Sequence, residues 1–257
     1  MSQFRQLRIL LLLLVLLVVA LGDWLTKLRT TDWERPLTVA LYPINGDGEE
    51  QTQAYIQGLA REDFSEIEDF FSNEAARYGL GLRRPFELVL GPVLSTRPPE
   101  PPAAGNPLAV VWWSLKMRYW AWRVGRDVGP PARIQLFVLY HDPQTTTRVA
   151  HSLGLQKGLL GVVNVYAGKR AEAGNNLVIA HELLHTVGAS DKYDPASNQP
   201  LFPMGYAEPD RQPVLPQTLA EIMAGRIPTT ASSTRDASGL GQAVIGLATA
   251  REIRWRE

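Results

Sequence analysis

The apolar and polar positions of this chain change period along its length, and the changes mark out strands and helices in mixed order. Pro36 to Tyr42 reads as a first strand, closed by the turn signal Asn45-Gly46-Asp47-Gly48. From about Glu50 to Tyr78, Ile56, Leu59, Phe64, Ile67, Phe70 and Phe71 recur at near-helical spacing, with a break near Arg61 to Asp63. Phe86 to Val93 is a second strand. The prolines between Arg97 and Pro107 exclude regular structure and predict an exposed loop. Leu108 to Val124 has helical period on two stripes, Val110, Trp113, Met117, Trp120 and Val124 on one, Trp112, Leu115, Tyr119 and Trp122 on the other. A helix of that kind is expected to be packed on both sides, although Lys116, Arg118 and Arg123 among the aromatics also suit a membrane surface. Arg133 to Tyr140 and Leu159 to Tyr166 are further strands, Asp194 to Pro216 is proline-rich and irregular, and a last helix is expected near Ser238 to Ile253.

Ahead of these elements, Ile9 to Ala20 is an unbroken apolar run with Arg5 and Arg8 before it and Gly22 and Asp23 after it. Its length is short for a span, but Leu7, Leu21, Trp24 and Leu25 extend it at the interfaces. We read residues 1–29 as an N-terminal transmembrane anchor and tether, and residues 30–257 as one domain. In a bacterial host the flanking arginines would stay in the cytoplasm, which puts the domain on the periplasmic side of the inner membrane. The alternative is a secreted protein, since Ala20 and Gly22 form a small-x-small cleavage site.

Composition narrows the partners. The chain has 257 residues, 45% of them hydrophobic, with 26 basic and 26 acidic side chains. A net charge of zero argues against a nucleic-acid partner. There is no cysteine, which excludes a disulfide-stapled fold and a thiolate metal site.

The chemistry concentrates in His181-Glu182-Leu183-Leu184-His185-Thr186-Val187-Gly188-Ala189-Ser190-Asp191. Residues four apart lie on one face of a helix, so His181 and His185 can direct ring nitrogens at one zinc ion. Glu182 lies about 100° further round. From there it can act as general base on a water in the open zinc position and pass the proton to a leaving amine. Gly188 can take positive φ and close the helix, so that the chain turns back and brings Asp191 to the metal as an oxygen ligand. Leu177, Ala180, Leu184 and Val187 on one side, and Ile179 and Leu183 on the other, predict a buried helix, with Asn175 or Asn176 as N-cap. His141 and His151 have no partner at metal-binding spacing and read as ordinary polar residues.

This segment resembles the zinc-binding helix and turn of the metzincin metalloendopeptidases, H-E-x-x-H-x-x-G-x-x-H, with Asp191 where most members have a third histidine. Some small bacterial neutral proteases of that clan are similar in using aspartate. The resemblance implies an α+β zincin domain: a mixed twisted sheet, an active-site helix and a C-terminal helix, with one catalytic zinc and peptide or protein substrates. It also implies a methionine turn beneath the metal, for which Met223 and Met204 are the candidates, Met223 being preferred. With Met204, Tyr206 would gain a catalytic role. The strand Leu159 to Tyr166 would form the upper edge of the cleft, where an extended substrate could add by main-chain hydrogen bonds. Two other readings stay open: a gluzincin-type hydrolase with a downstream ligand such as Glu221, and a non-enzymatic envelope protein with a structural metal.

Overall fold

A computed structural model describes residues 8, 10, 13, 14, 31–102, 106–127, 129–156 and 159–256. The N-terminal anchor expected over residues 1–29 falls almost wholly outside them. Among the described residues, no helix is long and apolar enough to cross a membrane.

The chain forms a mixed α/β arrangement around a five-stranded sheet. In order along the chain come β1 (Leu37–Asn45), α1 (Glu50–Gln57), a 3-10 turn (Arg61–Phe64), α2 (Ser65–Arg77), β2 (Phe86–Leu90), α3 (Pro107–Asp127), β3 (Ile134–His141), β4 (Leu153–Leu155), β5 (Leu160–Tyr166) and α4 (Glu172–Thr186). Short pieces follow: β6 (Ala220–Glu221), β7 (Arg226–Pro228), β8 (Thr234–Asp236), β9 (Ala243–Val244) and α5 (Leu247–Glu252). The strand order is β2-β1-β3-β5-β4. The first four strands are parallel, in registers such as Leu37 with Phe86, Val39 with Ile134 and Gln135 with Leu160. β4 runs antiparallel to β5, with Gly154 opposite Gly161.

Alternation along β1 explains why that strand is apolar at almost every position. Val39 and Leu41 enter a core with α2 and α4, whereas Ala40, Tyr42 and Ile44 enter a second core with Met117 and Ala121 of α3. The sheet is therefore covered on both faces. In the larger core, fully buried Phe71 of α2 lies 4.5 Å from Phe86 and 6.4 Å from Trp255, ring to ring. Trp33, just ahead of β1, donates its indole N–H to the Ile253 carbonyl at 2.7 Å, which ties the two ends of the described domain together.

Several expectations are corrected. α4 begins at Glu172 with Ala171 as N-cap, so neither Asn175 nor Asn176 caps it. Asn175 instead joins helix to strand, accepting from the Tyr166 N–H and donating to the Tyr166 carbonyl. Asn176 donates to the Asp63 carbonyl. The last helix is short, because Leu240, Ala243, Val244 and Leu247 have helical spacing but serve a 3-10 turn, β9 and then the start of α5. α3 is packed on one side: Met117 and Ala121 are buried, while Trp112, Leu115, Tyr119 and Trp122 are exposed. Finally, β5 is not the sheet edge. A three-residue strand missed in the sequence, β4, lies outside it.

Candidate metal centre

α4 ends where local chemistry requires. Gly188 has φ of 107°, the Gly188 N–H donates to the His185 carbonyl, and the Ala189 N–H donates to the Leu184 carbonyl. These two bonds, with a positive-φ glycine after the last helical turn, form a Schellman closure. A side chain at residue 188 would be strained by that φ and would also meet the amide of Gln156. The reversal returns Asp191 to the helix, and one carboxylate oxygen, Oδ1, lies 3.2 Å from the Nε2 atoms of both His181 and His185. The two Nε2 atoms are 3.1 Å apart.

The other ring nitrogens decide what this triangle can hold. His181 Nδ1 is 2.9 Å from the Ile222 carbonyl, and His185 Nδ1 is 2.8 Å from the Ala189 carbonyl. A carbonyl only accepts, so each Nδ1 carries the proton in the neutral ring and each Nε2 directs a lone pair inward. Two lone pairs and a carboxylate oxygen within 3.2 Å of one another repel unless a positive charge lies between them. A tetrahedral zinc with bonds of about 2.0–2.1 Å keeps its donors about 3.3 Å apart, close to the spacing found here. Burial works against a charged His181, yet the hydrogen bond to Asp191 and the negative charge of Glu182 leave its pKa raised. Asp191, despite partial burial that works the other way, is held below the ordinary carboxylate range by the two imidazoles. Both shifts mark a pocket that favours a cation.

Glu182 is buried, and a carboxylate oxygen lies within 4.8 Å of a ring nitrogen of each histidine. Burial raises its pKa against the attraction of His181 and His185. Gly154 of β4 packs directly on this part of the helix. A methyl group there would come within 2.4 Å of the His185 Cβ and 2.6 Å of the Glu182 carbonyl oxygen.

Of the two candidate methionines, Met223 belongs to the segment under the site. It is fully buried, its carbonyl accepts from the Lys192 N–H at 2.9 Å, and its neighbour Ile222 supplies the carbonyl that orients His181. Met204 is half exposed. Tyr206 packs edge-on against Phe202 at 5.2 Å and bridges Ala220 through its backbone. Glu221 is fully buried and holds the segment around Met223 together. Its Oε2 accepts from the Met223 and Ala224 N–H groups, and its Oε1 accepts from the Gly246 N–H and the Thr249 hydroxyl. All four of these bonds are to groups of its own segment and of the start of the last helix. His141 hydrogen-bonds Asn164.

Two features of the site were missed in the sequence. Tyr193 lies near the Asp191 carboxylate, and burial followed by the charges of Asp191 and Glu182 raises its phenol. Its signal was its position, since residues two apart in an extended segment share a side. The other is a clamp on the turn that carries Asp191. Glu252 of α5 accepts from the Ser190 N–H and hydroxyl, and buried Lys192 pairs with it at 2.7 Å.

No family model and no curated protein matches the chain. Among solved structures, one described as "Structure of a chaperone-substrate complex" has 11% sequence identity and a TM-score of 0.38, over 86% of this chain and 39% of that one. The chain thus spans well under two thirds of that structure, and a likeness so low carries no argument about function.

Proposed function

We propose that the chain is a zinc-dependent hydrolase. More particularly, we read it as a metzincin-type endopeptidase that acts on peptides or proteins outside the cytoplasm, tethered by its N-terminal apolar segment. The observation that carries the reading is the triangle of His181 Nε2, His185 Nε2 and Asp191 Oδ1, with both Nδ1 atoms committed to carbonyls. Zinc bound there would supply Lewis acidity, polarising a substrate carbonyl and lowering the pKa of water to about 7.

The chain's own groups perform the rest. Glu182 takes the proton of the attacking water and returns it to the departing amine, and its raised pKa favours the first transfer by making it a stronger base. Tyr206 keeps the role that the sequence gives it beside Met204, and Tyr193, near Asp191, is a second candidate to donate to a developing oxyanion. Peptide substrates are favoured because β4 is the sheet edge against the catalytic helix, and an extended segment can pair with such an edge. The zincin fold class is supported by the mixed sheet with its one antiparallel edge strand and by the buried Met223 turn.

The test is Glu182→Gln, assayed for both zinc content and cleavage of unstructured polypeptides. Retained zinc with cleavage lowered by about 10²–10⁴-fold is expected. Unchanged cleavage would remove Glu182 from the reaction. A wild type that binds zinc and cleaves no polypeptide would favour the structural-metal reading.

A further inference from the structure

We propose that the outer face of α3 is a membrane-surface element that lies on an anionic bilayer. The inference does not rest on the hydrolase reading. Leu108, Val111, Trp112, Leu115, Tyr119 and Trp122 are each more than half exposed, from 53% to 79%. At 100° per residue they fall on one stripe covering roughly 100° of the helix, opposite the face that Met117 and Ala121 bury against the sheet. Six large side chains in one stripe make a patch, unlike the scattered exposed leucines of ordinary surfaces.

Charge identifies the occupant. On the same wheel Lys116 and Arg123 border the stripe on one side and Arg118 on the other, while Arg126 continues it at the C-terminal end. Asp127 is the helix's one acidic residue. Lys116 Nζ sits 5.5 Å over the Trp112 ring and the Arg126 guanidinium 4.6 Å over Trp122, so cation and aromatic ring occupy the same level. Tryptophan and tyrosine bordered by lysine and arginine suit the headgroup layer, where rings sit among glycerol and carbonyl groups and cations meet phosphates. A second copy of the chain fits less well, because a two-fold contact would set these cations against one another.

Position supports the same choice. Arg118, Trp122 and Arg126 line a surface depression with Arg133, and Arg133 also lines one with Asp32 and residues 34–37, ahead of and at the start of β1. The apolar run Ile9 to Ala20 enters the sequence just ahead of that edge.

The test uses the full chain reconstituted in phosphatidylcholine vesicles with and without phosphatidylglycerol, their lipids brominated near the headgroup, and reads tryptophan quenching. The other five tryptophans supply the background. The expected result is that quenching above this background is larger in the anionic vesicles, and that Trp112→Phe with Trp122→Phe removes most of it. Replacing Lys116 and Arg123 by Glu is expected to remove it as well, while leaving thermal unfolding unchanged. Quenching unaffected by loss of Trp112 and Trp122 would overturn the proposal. So would cross-linking of α3 to a second copy in detergent, with these rings shielded before lipid is added.

Discussion

Replacing Glu221 by glutamine separates a structural brace from a metal ligand. The carboxylate accepts four hydrogen bonds in the core: from Met223 N at 2.7 Å, Ala224 N at 3.0 Å, Gly246 N at 3.0 Å and the Thr249 hydroxyl at 2.6 Å. A glutamine keeps the shape but turns one oxygen into an NH2 group, so whichever way it flips, two donors face a donor. Each lost bond costs about 1–1.5 kcal/mol, or about 2–3 kcal/mol together. For a domain of this size 1 kcal/mol moves Tm by about 2–4 °C, which predicts a fall of about 5–10 °C. The turn that loosens also supplies the Ile222 carbonyl to His181, so zinc affinity should weaken while binding persists. Thermal unfolding followed by circular dichroism, beside zinc titration against a competing chelator, measures both effects. A Tm unchanged to within about 1 °C would refute the brace. Abolished zinc binding at unchanged Tm would make Glu221 a ligand and favour the gluzincin reading.

Three further outcomes follow from the same geometry. Gly154→Ala would push a methyl group to 2.4 Å from the His185 Cβ, so β4 or α4 must shift; a loss of about 1–3 kcal/mol in urea unfolding and a larger proportional loss of cleavage are expected, and a neutral variant would show that β4 does not press on the helix. Asp191→Asn removes the anionic oxygen from the triangle, and chelator competition should show zinc affinity lower by at least about 100-fold, with wild-type affinity counting against Asp191 as ligand. Glu252 gives a pH dependence: burial would raise its pKa, but Lys192 and Ser190 lower it, so its contribution is present above the unfolded value of about 4.3 and lost as pH falls through the folded value. Tm should therefore drop between about pH 5 and 3 more steeply in the wild type than in Glu252→Gln, and parallel curves would refute the clamp.

What could be read from the sequence was what local chemistry decides. The positive φ at Gly188 and the two bonds that close α4 depend on a few consecutive residues, so the return of Asp191 to the histidines followed from eleven residues alone. Periodicity likewise marked α3, but a helix with apolar residues on two faces does not itself say which face meets a sheet. That answer comes from Phe137 and Tyr42 on distant strands. β4 escaped notice because Leu153-Gly154-Leu155 is too short to show alternation, and its meaning lies in Gly154 touching a helix about thirty residues on. The last helix was overextended because Leu240, Val244 and Leu247 mimic helical spacing while Glu221, from another segment, claims the Gly246 N–H.

The division has a physical reason. Metal-ligand types and spacing within one helix and its turn are set by short-range geometry, whereas the precision of a site comes from groups that hold the ligands still. Here those groups are remote in sequence: the Ile222 carbonyl for His181, Glu252 for the turn before Asp191, and Gly154 against His185. Ligand positions and supporting positions should therefore respond differently to substitution. On the proposed reading, changes at His181 or His185 should abolish metal binding and a change at Asp191 should weaken it, with the fold retained. Changes at Glu221, Gly154 or Glu252 should lower stability first, and alter affinity in proportion to how far the ring nitrogens drift.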